Sequence, residues 1–193
     1  MKKVIYMDNN ATTKVDEEVF EEMKPYFASL YGNPSSMHTF GGQVGKKIDE
    51  AREKVARLIG TQYTTEIIFT SCGTESNSTA VFSALQAYPE RKEIITTRVE
   101  HPAIMSLAKK KKKQGIAVIQ LKVDKYGNLD LDEYDRYLNE DTALVTVMSA
   151  NNETGVIFPV EKMAHMAKEK GVLFHTDAVQ AAGKIPINMN NSA

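Results

Sequence analysis

Asp177 and Gln180 stand three residues apart in HTDAVQAAGK (175–184), directly after the apolar run VLFHT (172–176). A carboxylate at the end of an apolar strand costs several kcal/mol if buried without a partner, so Asp177 needs a cationic one. A protonated pyridine nitrogen would serve, as would an arginine or a capped helix. Gln180 would donate to a ring hydroxyl, or it is an ordinary surface amide. A second stretch, Cys72-Gly73-Thr74-Glu75-Ser76-Asn77, has the chemistry of a phosphate cradle. Gly73 permits close backbone approach, N–H groups at a helix start point outward, and Thr74 and Ser76 add hydroxyls. Small residues also open helices for capping alone.

Two further loops carry polar residues. His101, before Pro102, has a ring that would stack on a flat ligand or shuttle a proton, although a lone loop histidine is the commoner case. Asn152 would orient a ring oxygen or a substrate carboxylate, or it closes a turn before Gly155. His175 reads as strand packing. Cys72 reads as a small buried residue rather than a nucleophile, since no candidate base lies near it in sequence.

These residues must be held by regular elements, and the pattern supplies them. Short β-rich runs at 66–71, 93–98, 116–121, 142–150 and 172–176 alternate with segments of helical length. That alternation predicts an α/β fold, three layers αβα around a mostly parallel sheet. Upstream, 16–30 and 38–59 read as helices; in the second, Val44, Ile48, Ala51, Val55, Leu58 and Ile59 form a stripe expected to face a core. Pro102 and Pro159 sit where first helical turns would begin, and Asp130 with Glu133 resembles a capping box for a helix over 131–138. The lysine run 109–113 reads as a solvated helix end before Gln114-Gly115.

In open parallel sheets, ligands bind beyond the carboxyl ends of the strands. The four polar loops all follow predicted strands, so they converge on one edge. The 193 residues are 42% apolar, enough for a substantial core, and 24 basic against 25 acidic residues leave no field for nucleic acid or an anionic membrane surface. A small ligand is therefore expected. Cys72 is the only cysteine, which excludes an internal disulfide and a thiol-bound zinc and suggests a cytoplasmic setting. The start, MKKVIYMDNNATT, has an apolar run too short for a signal peptide or a membrane span. A nucleotide-binding loop is disfavoured: GGQVGKK (41–47) has the wrong spacing, lacks the hydroxyl residue after the lysine and lies in a helix pattern. A phosphate nest, a stacking ring, an amide and a carboxylate match pyridoxal phosphate better than a nucleotide.

The sequence also resembles a known family. DNNATT (8–13), YGNPSSMH (31–38), FTSCGTES (69–76), VEHPA (99–103), NNETG (151–155) and HTDAVQAAGK (175–184) match, in order, the N-terminal part of the nitrogen-fixation (NifS-like) cysteine desulfurases of the class V aminotransferase superfamily. The resemblance implies a pyridoxal-phosphate-dependent transferase of fold type I, with an N-terminal arm over 1–15 near the active-site mouth, an incomplete large domain over 16–193 and no C-terminal small domain. It implies phosphate binding by Gly73 and Thr74, ring stacking and proton transfer by His101, and a ring or substrate contact by Asn152. Asp177 would face the pyridine nitrogen, Gln180 the ring hydroxyl, and Asn10, Ala11 and Thr12 the mouth of the substrate site. The implied reaction converts L-cysteine to L-alanine and leaves a persulfide on an enzyme cysteine. A sulfur acceptor or iron–sulfur scaffold protein and a homodimeric assembly are the implied partners.

In the family, the Schiff-base lysine follows the Asp-x-x-Gln motif by roughly two dozen residues. The chain reaches only Ala193, so neither that lysine nor the persulfide cysteine is expected in it. Lys184 comes too early for the first role, and Cys72 belongs to the SCGTES motif rather than to the second. Activity from this chain alone is accordingly not expected. A non-catalytic truncated fragment, or another class V enzyme such as a selenocysteine lyase, is the alternative reading.

Overall fold

The computed structural model describes residues 4–189; residues 1–3 of the expected arm and 190–193 of the expected large domain lie outside the described residues. The chain forms two units, Met1–Ile67 and Ile68–Ala193. In the first, α1 (Glu17–Ala28) is capped by Asp16, whose side chain accepts from Glu18 N at 2.9 Å. His38 caps α2 (Thr39–Ile59) through Nδ1, which accepts from Gly41 N at 3.1 Å. Val44 is buried and Ile48, Val55 and Ile59 are half-buried, whereas Ala51 and Leu58 are exposed. The predicted stripe is thus wider than the surface that covers it.

The second unit contains a four-stranded parallel sheet of β1 (Glu93–Thr97), β2 (Ala117–Leu121), β3 (Thr142–Thr146) and β4 (Leu173–His175), in the order β2-β1-β3-β4. The connecting helices are α4 (Pro102–Lys113), α5 (Leu131–Tyr137) and α6 (Val160–Glu169), and α3 (Gly73–Ala87) precedes β1. Successive strand residues point to opposite faces. Ile94 and Leu144 pack with Val81 and Ala84 of α3 and Leu107 of α4. Their neighbours Ile95 and Val145 pack with Tyr134 of α5 and Met163 and Ala167 of α6. This is the expected three-layer αβα arrangement. The buried Tyr134 hydroxyl ties the two helices of its layer by donating to Met163 O at 2.9 Å.

Three expectations are corrected. The run 66–71 is not a strand: Thr64–Glu66 is a 3-10 turn, and Ile68 and Phe69 continue extended and exposed. A β-prone run becomes a strand only beside a partner that completes its hydrogen-bond ladder, and no described residue does so here. The run 142–150 is a strand only over Thr142–Thr146; Val147 N and Ser149 N still donate to β4 and the loop after it, and Ala150 bridges back to Ile157. In the lysine run, Lys111 is 8% exposed with its ammonium 3.9 Å from the centre of the Phe82 ring, so one of the five belongs to the packed face. Among the described residues, no helix is long and apolar enough to cross a membrane, and no cluster of side chains could hold a metal ion.

Candidate functional site

The chain runs from β1 outward to β2, then returns past β1 to β3 on the other side. The segments leaving β1 and β3 therefore turn to opposite faces: α4 lies over one, α6 over the other. Such a divergence opens a crevice at the strands' carboxyl ends. Hydrogen bonds tie together the loops at this end of the sheet.

At the β4 side, Asp177 Oδ2 accepts from Asn77 Nδ2 at 2.7 Å and Oδ1 from Val179 N at 3.1 Å. Asn77 is buried on α3, so this bond binds the start of α3 to the loop after β4. Gly73 allows the approach: a Cβ there would sit 3.0 Å from Val179 Cγ2. The β4 loop is fastened to β3 by Val147 N donating to His175 O at 3.1 Å and Ser149 N to Asp177 O at 2.9 Å. Thr146 Oγ1 and His175 Nδ1 lie 2.8 Å apart, and burial lowers the pKa of His175, partly countered by the charge of Asp177.

Between β1 and β3, Asn151 Nδ2 donates to Val99 O at 3.1 Å, and Glu100 Oε1 accepts from Met148 N at 3.0 Å. Asn151, not Asn152, closes the turn before Gly155, since its Oδ1 accepts from Glu153 N at 3.0 Å and Thr154 N at 2.9 Å. Asn152 follows it, half-buried, with Nδ2 3.5 Å from Glu153 Oε1. His101 is exposed and caps α4, Nδ1 accepting from Ala103 N at 3.2 Å. Gln180 accepts from Lys184 Nζ at 2.7 Å.

At the start of α3, Cys72 is the N-cap and is exposed, against the sequence expectation of a buried residue. Its extended backbone, φ −169°, belongs to the loop rather than to the packed helix. The N–H of Glu75 and the hydroxyl of Ser71 hold its thiol below the ordinary pKa. Donors at this helix end thus stabilise negative charge, as a phosphate would require. The Glu75 carboxylate folds back onto Ser71, accepting from its N and its Oγ, each at 2.6 Å.

The structure thus joins Gly73, the Asp177 loop and the β3 exit into one bonded set, and a second set joins the β3 exit to the loop bearing His101. Asn10, Ala11 and Thr12 lie in the first unit, where Ala11 N donates to Asp8 O at 3.2 Å. A cleft of about 380 Å³ lined by Ser149, Phe158, Thr176, Ile185 and Met189 is apolar and includes none of the predicted cofactor residues. Sequence reasoning missed Glu100 and the role of Asn77. For Glu100 the signal was available: a carboxylate at the end of an apolar strand, the argument applied to Asp177.

Pyridoxal phosphate fits these residues on one observation. Asp177 is half-buried, its donors are a neutral amide and a backbone N–H, and no ion pair to it exists among the described residues. A cationic ring nitrogen would complete it.

A model of the family described as Aminotransferase class-V matches residues 5–193. The cysteine desulfurase NifS of Azotobacter vinelandii is 55% identical over 189 residues, 98% of this chain and 47% of that protein. The solved structure of a NifS-like protein superposes with a TM-score of 0.92 at 42% identity, covering 97% of this chain and 52% of the other. SspA in complex with cysteine gives a TM-score of 0.92 at 30% identity, over 97% of this chain and 54% of that one. The chain spans about half the length of the curated relatives it matches.

Proposed function

The chain belongs to the class-V aminotransferase family, and from that membership we propose that it forms the pyridoxal phosphate cradle of a NifS-like cysteine desulfurase. The whole protein would convert L-cysteine to L-alanine and pass the sulfur to an enzyme cysteine, as a persulfide, for iron–sulfur cluster assembly. Pyridoxal phosphate is the cofactor of this family, and when bound it supplies an electron sink for the substrate α-carbon.

The chain's own residues divide the work. Asp177 holds a negative charge against the ring nitrogen, and Asn77 fixes that carboxylate in place. Gly73 and Thr74 offer the phosphate the donors of the α3 N-terminus. His101 covers the ring face and moves a proton at the substrate α-carbon. Asn152 contacts the ring or the substrate, Gln180 the ring hydroxyl, and Asn10, Ala11 and Thr12 border the mouth. In this reading residues 1–15 are an arm and 16–193 part of the large domain. The protein works in the cytoplasm as a homodimer and delivers sulfur to an acceptor or an iron–sulfur scaffold protein.

The observation that carries the reading is the cation-lacking Asp177 beside the α3 start. The test is a pyridoxal phosphate titration followed by cofactor absorbance, then an assay of alanine released from L-cysteine by the whole protein. Asp177→Asn keeps the shape and one acceptor, for Asn77 or for Val179 N, but removes the charge. It is expected to weaken binding by about tenfold or more, the cost of roughly one unit of pKa mismatch at the ring nitrogen. Equal binding by both forms, or no alanine from L-cysteine, would refute the proposal.

A further inference from the structure

Glu100 is 6% exposed at the end of β1, and its two oxygens have different surroundings. Oε1 accepts from Thr97 Oγ1 at 2.8 Å and from Met148 N at 3.0 Å. Oε2 is buried and has no hydrogen-bond partner among the described residues. A carboxylate buried with an orphaned oxygen is strongly disfavoured, whereas a carboxylic acid with its proton on Oε2 leaves Oε1 free to accept both bonds.

The position matters as much as the burial. Glu100 directly precedes His101, the cap of α4, and its bond to Met148 N crosses to β3 at the point where the two connections part. Asn151 adds a second strap to Val99 O. The placement of His101 against the β3 exit thus depends on one carboxyl group and one amide.

We infer that Glu100 is a positioning residue of this same site, a neutral acid that clamps the β1 exit onto the β3 exit and gives up part of its proton when a cation settles against Asp177. This rests on the reading of Asp177 as the partner of a cationic ring. Burial favours the protonated form of Glu100; the Met148 and Thr97 bonds to Oε1 oppose it in part, and the charge of Asp177 adds a smaller push toward the acid. Arg98 and His101 flank it on its own loop, and His175, whose pKa burial lowers, lies against Thr146. A cation against Asp177 cancels the repulsion it exerts, the O–H bond at Oε2 breaks, and the proton passes to solvent water. By linkage, the ionised Glu100 favours the cation in return.

Two readouts test this on the full chain. Without cofactor, the infrared difference spectrum of wild type against Glu100→Gln should show a carboxylic-acid carbonyl band at neutral pH; its absence overturns the inference whether or not pyridoxal phosphate binds. With cofactor, calorimetry in buffers of different ionisation enthalpy should show wild type releasing a measurable fraction of a proton more than Glu100→Gln. Equal release overturns the coupling. A wild type that shows the acid band but binds no pyridoxal phosphate refutes the functional reading and the coupling, and leaves the neutral clamp supported. If Glu100→Gln does not fold, Asp177→Asn carries the test: the acid band should disappear at lower pH than in wild type, and an unchanged midpoint overturns the coupling.

Discussion

Replacing Glu100 by glutamine should change how stability depends on pH, by an amount that follows from its burial. The folded state pushes Glu100 from about 4.5 up to about 7, mainly by desolvation. Between those values the folded protein holds a proton that the unfolded chain has released. Stability therefore falls as pH rises through that window, with a limiting slope of about 1.4 kcal/mol per pH unit from this group. That rise in pKa amounts to about 3 kcal/mol, fully lost above neutral pH. Glutamine keeps an acceptor for Thr97 Oγ1 and Met148 N but does not titrate. Urea unfolding of the cofactor-free chain from about pH 5 to about pH 8 should give a difference between the two proteins that moves toward the glutamine variant by about 2.5 kcal/mol, the rest being lost already below pH 5. A difference that stays constant with pH would refute the reasoning, because it would mean that Glu100 does not carry a displaced proton.

Two other outcomes are expected. Tyr134→Phe removes the buried hydroxyl that donates to Met163 O, and should destabilise the protein by about 1 to 2 kcal/mol in urea unfolding with an unchanged m-value; an unaltered midpoint would show that the α5 to α6 tie contributes nothing. Alkylation of Cys72 by iodoacetamide should rise with pH about a midpoint below that of an ordinary thiol, because the Glu75 N–H and the Ser71 hydroxyl stabilise the thiolate; a midpoint at the free-thiol value would count against an anion-favouring α3 N-terminus.

Much of the architecture was legible because the relevant physics is local. Strand and helix periods and the helix-start signals at Pro102, Pro159 and Asp130 place nearly every element within a few residues. The rule that loops after parallel strands line the binding edge then puts the loops of His101, Asn152 and Asp177 at one end of the sheet without any coordinates, whereas Gly73 was reached through a run that is not a strand. What escaped depends on partners distant in sequence. The β-rich run 66–71 lacks a neighbouring strand among the described residues, and propensity cannot supply one. Lys111 falls on the stripe of Ile104, Leu107 and Ala108, so helix position overrides its charge and lays its stem against Phe82.

Glu100 follows from the same cause as the crevice itself. Ile94 and Ile95 are identical and adjacent, yet one packs under α3 and α4 and the other under α5 and α6, because the chain leaves β1 in one direction and returns on the other side. That reversal separates the loops after β1 and β3, and something must bridge them where they part. A side chain reaching from one to the other is necessarily buried between the layers, and it must accept the Met148 N–H that the end of the β3 ladder leaves unpaired. A carboxyl group can do this, but burial favours its protonated form, and the neighbouring charge on Asp177 adds to that preference. The topology that makes room for a ligand therefore also places a proton-holding group beside it.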